Sequence, residues 1–192
     1  MPPPLFAKAN DMTQNQLLLR GRILTFNAEP QGPHDSDAYT YIEDGALLIA
    51  DGMIIASGSY DHVSPQARQA REVDHRPHLL MAGFIDTHIH FPQVQVIASW
   101  GSQLLDCLNT CNFTEKTRFV ETNHSADMAG HFYEQLIAHG TTSAVAFCSV
   151  HKASADAFFN AAEQRNMRMI GGKVMMDRNA PDGLRDTPQS GY

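Results

Sequence analysis

The chain has 192 residues, of which 43% are hydrophobic and 18% charged, so it can form a sizeable core and is not expected to be disordered. Its formal net charge of -7 and the lack of any Lys/Arg cluster argue against nucleic acids and anionic membranes as partners. The three cysteines show no disulfide spacing, and the sequence contains neither a signal peptide nor an apolar run of the ~20 residues needed to cross a bilayer. We therefore expect a cytoplasmic protein that acts on a small molecule.

Residues 1–77 are predicted to be all-β. A strand over residues 17–26 is interrupted near Gly21, and a polar, proline-containing surface loop follows at residues 27–37. Two apolar runs then flank Asp51-Gly52, a dipeptide that strongly favours a two-residue hairpin turn. No residue of this region is predicted to carry chemistry.

From about Leu79 the predicted strands and helices alternate. Strands are expected over residues 79–90, 141–148 and 167–176, and helices over residues 104–110, 126–139 and 155–164. Ser125 and Ser154 are predicted to cap the second and third of these helices, and Gly140 to end the second. Such alternation indicates a parallel sheet whose faces are covered by helices.

The most informative segment is Asp86-Thr87-His88-Ile89-His90, which ends the first of these strands. Side chains two residues apart on a strand point to the same face, so His88 and His90 project together, and Asp86 shares their face. In a parallel barrel, catalytic residues gather at the carboxyl ends of the strands. The pair is therefore a candidate metal site, although two of the ten histidines can also fall two positions apart by chance.

Residues 77–90 resemble the entry strand of the amidohydrolase superfamily, in which a Gly-hydrophobic-Ile-Asp-x-His-x-His signature follows a small β-sandwich. Further segments resemble the guanine deaminases within that superfamily: residues 91–93, 103–109, 140–144 and 172–181. The resemblance implies an α/β fold with two parts. Residues 1–77 would form a β-sandwich subdomain, and residues 78–192 about three βα units at the front of a (β/α)₈ TIM-type metal-dependent hydrolase barrel.

The resemblance also implies an activity, which is zinc-dependent hydrolysis of guanine to xanthine and ammonia. By position, His88 and His90 match two zinc ligands, and His90, Phe91, Pro92 and Gln93 match the segment that contacts the substrate. A Gln amide suits this role because it offers a donor and an acceptor to a purine edge. No catalytic residue is assigned within the chain, because the proton-shuttling Glu and the remaining ligands are expected beyond its end. We therefore expect the chain alone to be inactive, and the resemblance implies that the full-length protein is a homodimer.

Other assignments remain open. His151 and Asp177 follow the second and third predicted strands, but a loop histidine exposed to solvent and an internally paired carboxylate are the simpler interpretations. The function could instead be deamination or dechlorination of another heterocycle by an amidohydrolase, or non-catalytic binding by a truncated fragment. The His-x-Glu and Pro-Cys-x-x-Cys motifs of the other zinc deaminases are absent from the sequence.

Overall fold

The computed structural model describes residues 16–100 and 103–191, except for the side chain of Leu104. The chain has a mixed α/β fold and divides into two compact units, Met1–Ala82 and Gly83–Tyr192. The predicted boundary after residue 77 falls inside a strand, β4 (Arg71–Met81), and the division observed lies just beyond that strand.

From residue 16 onward, the first unit contains a four-stranded sheet and one short α-helix, α1 (Tyr60–Val63). The order of the strands is β3-β2-β1-β4, with β4 parallel to β1 and the other pairs antiparallel. The strands that precede β4 along the chain are β1 (Gln16–Phe26), β2 (Tyr39–Ala50) and β3 (Met53–Ser59). The described residues form a single sheet here, so the second layer of the predicted sandwich stays a prediction.

Two local predictions for this unit are confirmed. Asp51 and Gly52 both adopt positive φ, 50° and 78°, as the turn between two antiparallel strands requires when it has only two residues. The pairing of β1 shifts register after Gly21, where the sequence predicts an interruption. A side chain on Gly21 would approach the His78 carbonyl to 3.2 Å, which explains why the smallest residue stands there.

The second unit contains a parallel sheet in the order β5-β6-β7. Its strands are β5 (Phe84–His90), β6 (Thr141–Phe147) and β7 (Arg168–Gly172). The connection from β5 to β6 contains α2 (Leu104–Cys107), α3 (Phe113–Arg118) and α4 (Thr122–Ala138), and α5 (Lys152–Gln164) connects β6 to β7. An apolar core lies between these helices and the sheet, formed chiefly by Phe91, Phe119, Phe132, Tyr133, Ala146 and Phe158.

Both long helices begin earlier than the sequence predicts. Ser125 lies inside α4 and donates a hydrogen bond to the Phe119 carbonyl at 2.9 Å, and Ser154 lies inside α5 and accepts one from the Ser149 N–H at 3.0 Å. Neither serine caps its helix. Each instead fixes the chain that enters the helix, since both hydroxyls are buried. Gly140 does end the α4 region, at a φ of 78°.

The predicted strand over residues 79–90 is two strands, because β4 ends at Met81 and β5 begins at Phe84. Gly83 lies between them, where an added Cβ would come within 2.2 Å of the Thr142 hydroxyl. This close approach needs a glycine and starts the pairing of β5 with β6. Within the described ranges, no helix is both long and apolar enough to span a bilayer.

Candidate metal centre

His88 and His90 lie at the carboxyl end of β5 with their side chains side by side. Their Nε2 atoms are 3.3 Å apart, and their ring centroids are separated by 5.3 Å. Phe147, which ends β6, packs against both rings, stacking on His90 at 5.0 Å and contacting His88 at 5.1 Å. The predicted pairing of the two imidazoles is therefore confirmed. Phe147 was missed from sequence, although its place at the end of the neighbouring strand was a usable signal.

A β-bulge sets the direction of the two rings. Asp86 lies opposite Ala144 and Ile89 opposite Ala146, so three residue steps on β5 match two on β6. The extra residue interrupts the alternation of faces that the sequence analysis used to place Asp86 with the histidines. The Asp86 carboxylate instead accepts a hydrogen bond from the backbone N–H of His88 at 2.9 Å. Asp86 thus stabilises the bulge that carries the first histidine.

The spacing of the two nitrogens fits a shared metal ion. Two Zn–N bonds of ~2.05 Å at a tetrahedral angle place their nitrogens ~3.3 Å apart. In the structure, the two Nε2 atoms are 3.3 Å apart. The Nδ1 atom of His90 is buried and has no hydrogen-bond partner in the described chain. No third His, Cys, Asp or Glu joins the pair in a metal-binding group within residues 16–100 and 103–191. A catalytic zinc site normally has three protein ligands, so these two histidines can supply only part of one.

The surroundings of His90 favour the neutral imidazole. Its partial burial lowers the pKa, and the nearby positive charges of Lys116 and His88 lower it further. Only the neutral ring has a lone pair to offer a cation. The site is therefore suited to binding a metal at neutral pH.

The segment after β5 forms a short 3₁₀ turn, Phe91–Val96. Phe91 is fully buried and packs against the rings of Phe119 and Phe132, and its predicted contact with the substrate stays a prediction. Pro92 is fully buried as well. Both residues anchor the turn, because they are packed into the apolar core between the sheet and the helices.

Gln93 is only half-buried, and its amide makes no hydrogen bond within the described residues. It lines a cleft of about 240 Å³ together with His90, beside β5, the edge strand of the sheet. The other walls of the cleft are mostly apolar and include Ile97, Phe132 and Leu136. The cleft thus combines a free amide and an imidazole with apolar walls along the edge of β5.

The other two candidates lie elsewhere. His151 immediately precedes α5, and its Nε2 is buried without a partner; burial also lowers its pKa. It lines a separate cavity with Lys173 and Asp186 and belongs to no metal-binding group of the described chain. Asp177 is 82% exposed and lies 3.7 Å from Arg178, in keeping with the simpler interpretation.

The fold and the histidine pair place the chain in a known class. The model of the Amidohydrolase family matches residues 79–191, which include the whole parallel sheet and the candidate centre. The chain belongs to the Amidohydrolase family.

Within that family, the chain is similar to guanine deaminases, as its motifs predict. Guanine deaminase of Escherichia coli is 42% identical over 178 residues, which are 91% of this chain and 40% of the relative. The crystal structure of guanine deaminase from Bradyrhizobium japonicum superimposes with a TM-score of 0.86 at 31% identity, covering 91% of this chain and 38% of that one. The structure of guanine deaminase from C. acetobutylicum, with guanine bound in its active site, gives a TM-score of 0.75 at 26% identity. The match covers 92% of this chain and 40% of that one. The chain thus spans about 40% of the length of these relatives.

Proposed function

We propose that the whole protein is a guanine deaminase, which hydrolyses guanine to xanthine and ammonia. The observation that carries this proposal is the pair of Nε2 atoms 3.3 Å apart at the end of β5. The likeness to guanine deaminases over nine-tenths of the chain supports the choice of reaction. Guanine as the ligand is supported by the relative from C. acetobutylicum, which holds it in its active site.

His88 and His90 are proposed to hold zinc through their Nε2 atoms. When bound at such a centre, zinc would act as a Lewis acid and lower the pKa of water into the neutral range. His90 contributes as a neutral ring, held by its stacking on Phe147. The remaining ligands and the Glu that shuttles the proton are proposed to lie in the part of the relatives' length that this chain does not cover.

Gln93 is proposed to bind the purine. A planar base with a hydrogen-bonding edge needs a donor and an acceptor in one plane, and a carboxamide provides both. The Gln93 amide has no partner in the described residues and shares its cleft with His90. His90 and the turn that begins with Phe91 and Pro92 would place this amide at a fixed distance from the metal.

The proposed architecture follows from the same likeness. Residues 1–77 would contribute one sheet of a β-sandwich, and residues 78–192 the first three strands of a (β/α)₈ barrel, with β5, β6 and β7 as those strands. The protein is further proposed to act in purine catabolism in the cytoplasm, as a homodimer.

The test is to measure ammonia released by the full-length protein from guanine, adenine, cytosine and pterins, with xanthine followed by ultraviolet absorbance. We expect turnover with guanine to exceed turnover with each other ring by at least tenfold. A clear preference for a different ring would replace guanine with that compound and keep the family. No turnover of any ring by zinc-loaded protein would favour a binding role without catalysis.

A further inference from the structure

Side-chain hydrogen bonds connect helix α3 to the turn that carries Gln93. The Arg118 Nη1 donates to the Gln95 side-chain oxygen at 3.0 Å and to the Glu115 carboxylate at 2.8 Å. One guanidinium nitrogen therefore joins the turn Phe91–Val96 to the helix.

The Glu115 carboxylate is buried and accepts hydrogen bonds at both of its oxygens. The side chains of Glu115 and His124 are only 10% and 13% exposed. His124 Nε2 lies 3.0 Å from the second Glu115 oxygen, so both oxygens are occupied, one by Arg118 and one by the imidazole. Burying a carboxylate is costly unless donors surround it, and here both donors are present. The buried Glu115 carboxylate thus fixes the orientation of the Arg118 guanidinium.

Contacts between aromatic rings accompany these hydrogen bonds. The Phe119 ring meets Phe91 edge-on at 5.1 Å and His124 edge-on at 5.0 Å. The first residue of the turn is therefore held through its ring, and Gln95 is held through its amide. Gln93 lies between these two anchors and has no hydrogen bond of its own in the described chain.

We infer that Glu115, Arg118 and Gln95 are positioning residues for guanine, which act through the Gln93 amide. The inference rests on the proposed function, because it assigns the three residues a part in binding that substrate. The contact between Gln95 and Arg118 is exposed and contributes little to folding stability. Its effect is geometric, since the hydrogen bonds from the Gln93 amide to the purine weaken as their distances and angles depart from the best values.

The test is a double-mutant cycle in the full-length protein with Gln93→Ala and Gln95→Met. Gln95→Met keeps the length of the side chain and removes the oxygen that Arg118 contacts. We expect it to raise the KM for guanine about fivefold and to change kcat less than about twofold. In the Gln93→Ala background, Gln95→Met should raise KM no further, because the group through which it acts is gone. Zinc content should be unchanged in all four proteins.

Two further variants examine the buried anchor. Glu115→Gln keeps the volume but presents an N–H₂ group to one of two donors, so it should raise KM as Gln95→Met does. Arg118→Met should do the same, and Arg118→Lys should restore part of the loss, since an ammonium can still donate to both oxygens. Matched controls are Gln164→Met, on an exposed position of α5, and Asp156→Asn, which removes the surface pair with Lys152. Both controls should leave KM unchanged.

The outcomes separate the two claims. If the unaltered protein turns over guanine and Gln93→Ala raises KM, but Gln95→Met does not, the positioning role is wrong and the proposed function stands. If the rises in KM caused by Gln93→Ala and Gln95→Met multiply in the double variant, the positioning role is also wrong. If the unaltered, zinc-loaded protein does not turn over guanine, the proposed function and this inference fall together.

Discussion

In the β-rich unit, ionisable side chains on the sheet pair with one another. Arg20 makes two hydrogen bonds to Asp44, at 2.8 and 2.6 Å, and its guanidinium lies 3.6 Å from the Tyr60 ring centroid. In the second unit, two buried imidazole nitrogens, on His90 and His151, have no partner in the described chain. Buried polar groups are normally satisfied, so an unsatisfied one needs an explanation. Among the described residues, the first unit thus has no buried side-chain nitrogen or oxygen without a partner, whereas the second has two, both on imidazoles.

The largest effect is expected from removing a proposed metal ligand. His88→Ala or His90→Ala in the full-length protein should lower zinc affinity by at least ~100-fold and abolish ammonia release from guanine. Zinc content by atomic emission and turnover measure the two effects. The matched control is His131→Ala, at an α4 position that is 65% exposed, which should change neither. Full zinc content in His88→Ala would break the contrast between the units.

The next largest effect concerns the core of the second unit. Phe158 is fully buried among aromatic rings, so Phe158→Ala should lower the free energy of unfolding by ~3–5 kcal/mol. Urea unfolding of the full-length protein, followed by circular dichroism, measures this. Phe159→Ala, next to it but 44% exposed, is the control and should cost much less. Equal losses would contradict the burial assigned to Phe158.

A smaller effect distinguishes packing from substrate contact at Phe91. Because the ring is fully buried, Phe91→Leu should lower the free energy of unfolding by ~1–2 kcal/mol through the volume that it leaves. The KM for guanine, measured on the folded variant, should stay within about twofold of the unaltered protein, because a buried leucine still packs into the core and holds the start of the turn. A large rise in KM without loss of stability would favour the substrate contact predicted from sequence.

The smallest effect should come from the first unit and should depend on pH. The hydrogen bonds from Arg20 hold the pKa of Asp44 below its usual range. A carboxyl with a lowered pKa stabilises the fold above its unfolded pKa of about 4, and this stabilisation is lost as the pH falls through the folded pKa. Asp44→Asn should therefore flatten the acid dependence of stability below about pH 4 and leave zinc content unchanged. Unfolding curves between about pH 2 and 7 measure the difference.

Much of this architecture could be predicted because local chemistry decides it. The turn at Asp51-Gly52 and the end of the α4 region at Gly140 depend on φ values that few residues adopt, and both were predicted correctly. The histidine pair follows from the spacing of two residues on a strand. Helix starts were less predictable, because both long helices begin without a side-chain cap, with Glu121 and His151 at the capping positions. Ser125 and Ser154 were therefore placed at the wrong end of their first turns.

What could not be predicted depends on pairing between distant segments. The register of β5 against β6 brings Phe147 beside the imidazoles, and no pattern within β5 alone indicates the bulge that sets Asp86 apart from them. Phe91 is apolar and follows the site directly, which suits a substrate contact and a core position equally well. Its burial is decided by Phe119, Phe132 and Phe158, which follow it by 28 or more positions.

The bulge on β5 makes the centre sensitive to chain length as well as to side-chain identity. Deleting Thr87 would leave two residue steps opposite two and restore an uninterrupted ladder, with His88 opposite Val145 and still on the face of His90. It would also remove the residue that spaces the Asp86 carboxylate from the His88 N–H, so the hydrogen bond between them would be lost. Thr87→Ser keeps the count and would leave both imidazoles aimed as they are. Position 87 therefore acts through the presence of a residue more than through its side chain, because that residue lets the Asp86 carboxylate accept a hydrogen bond from the His88 N–H.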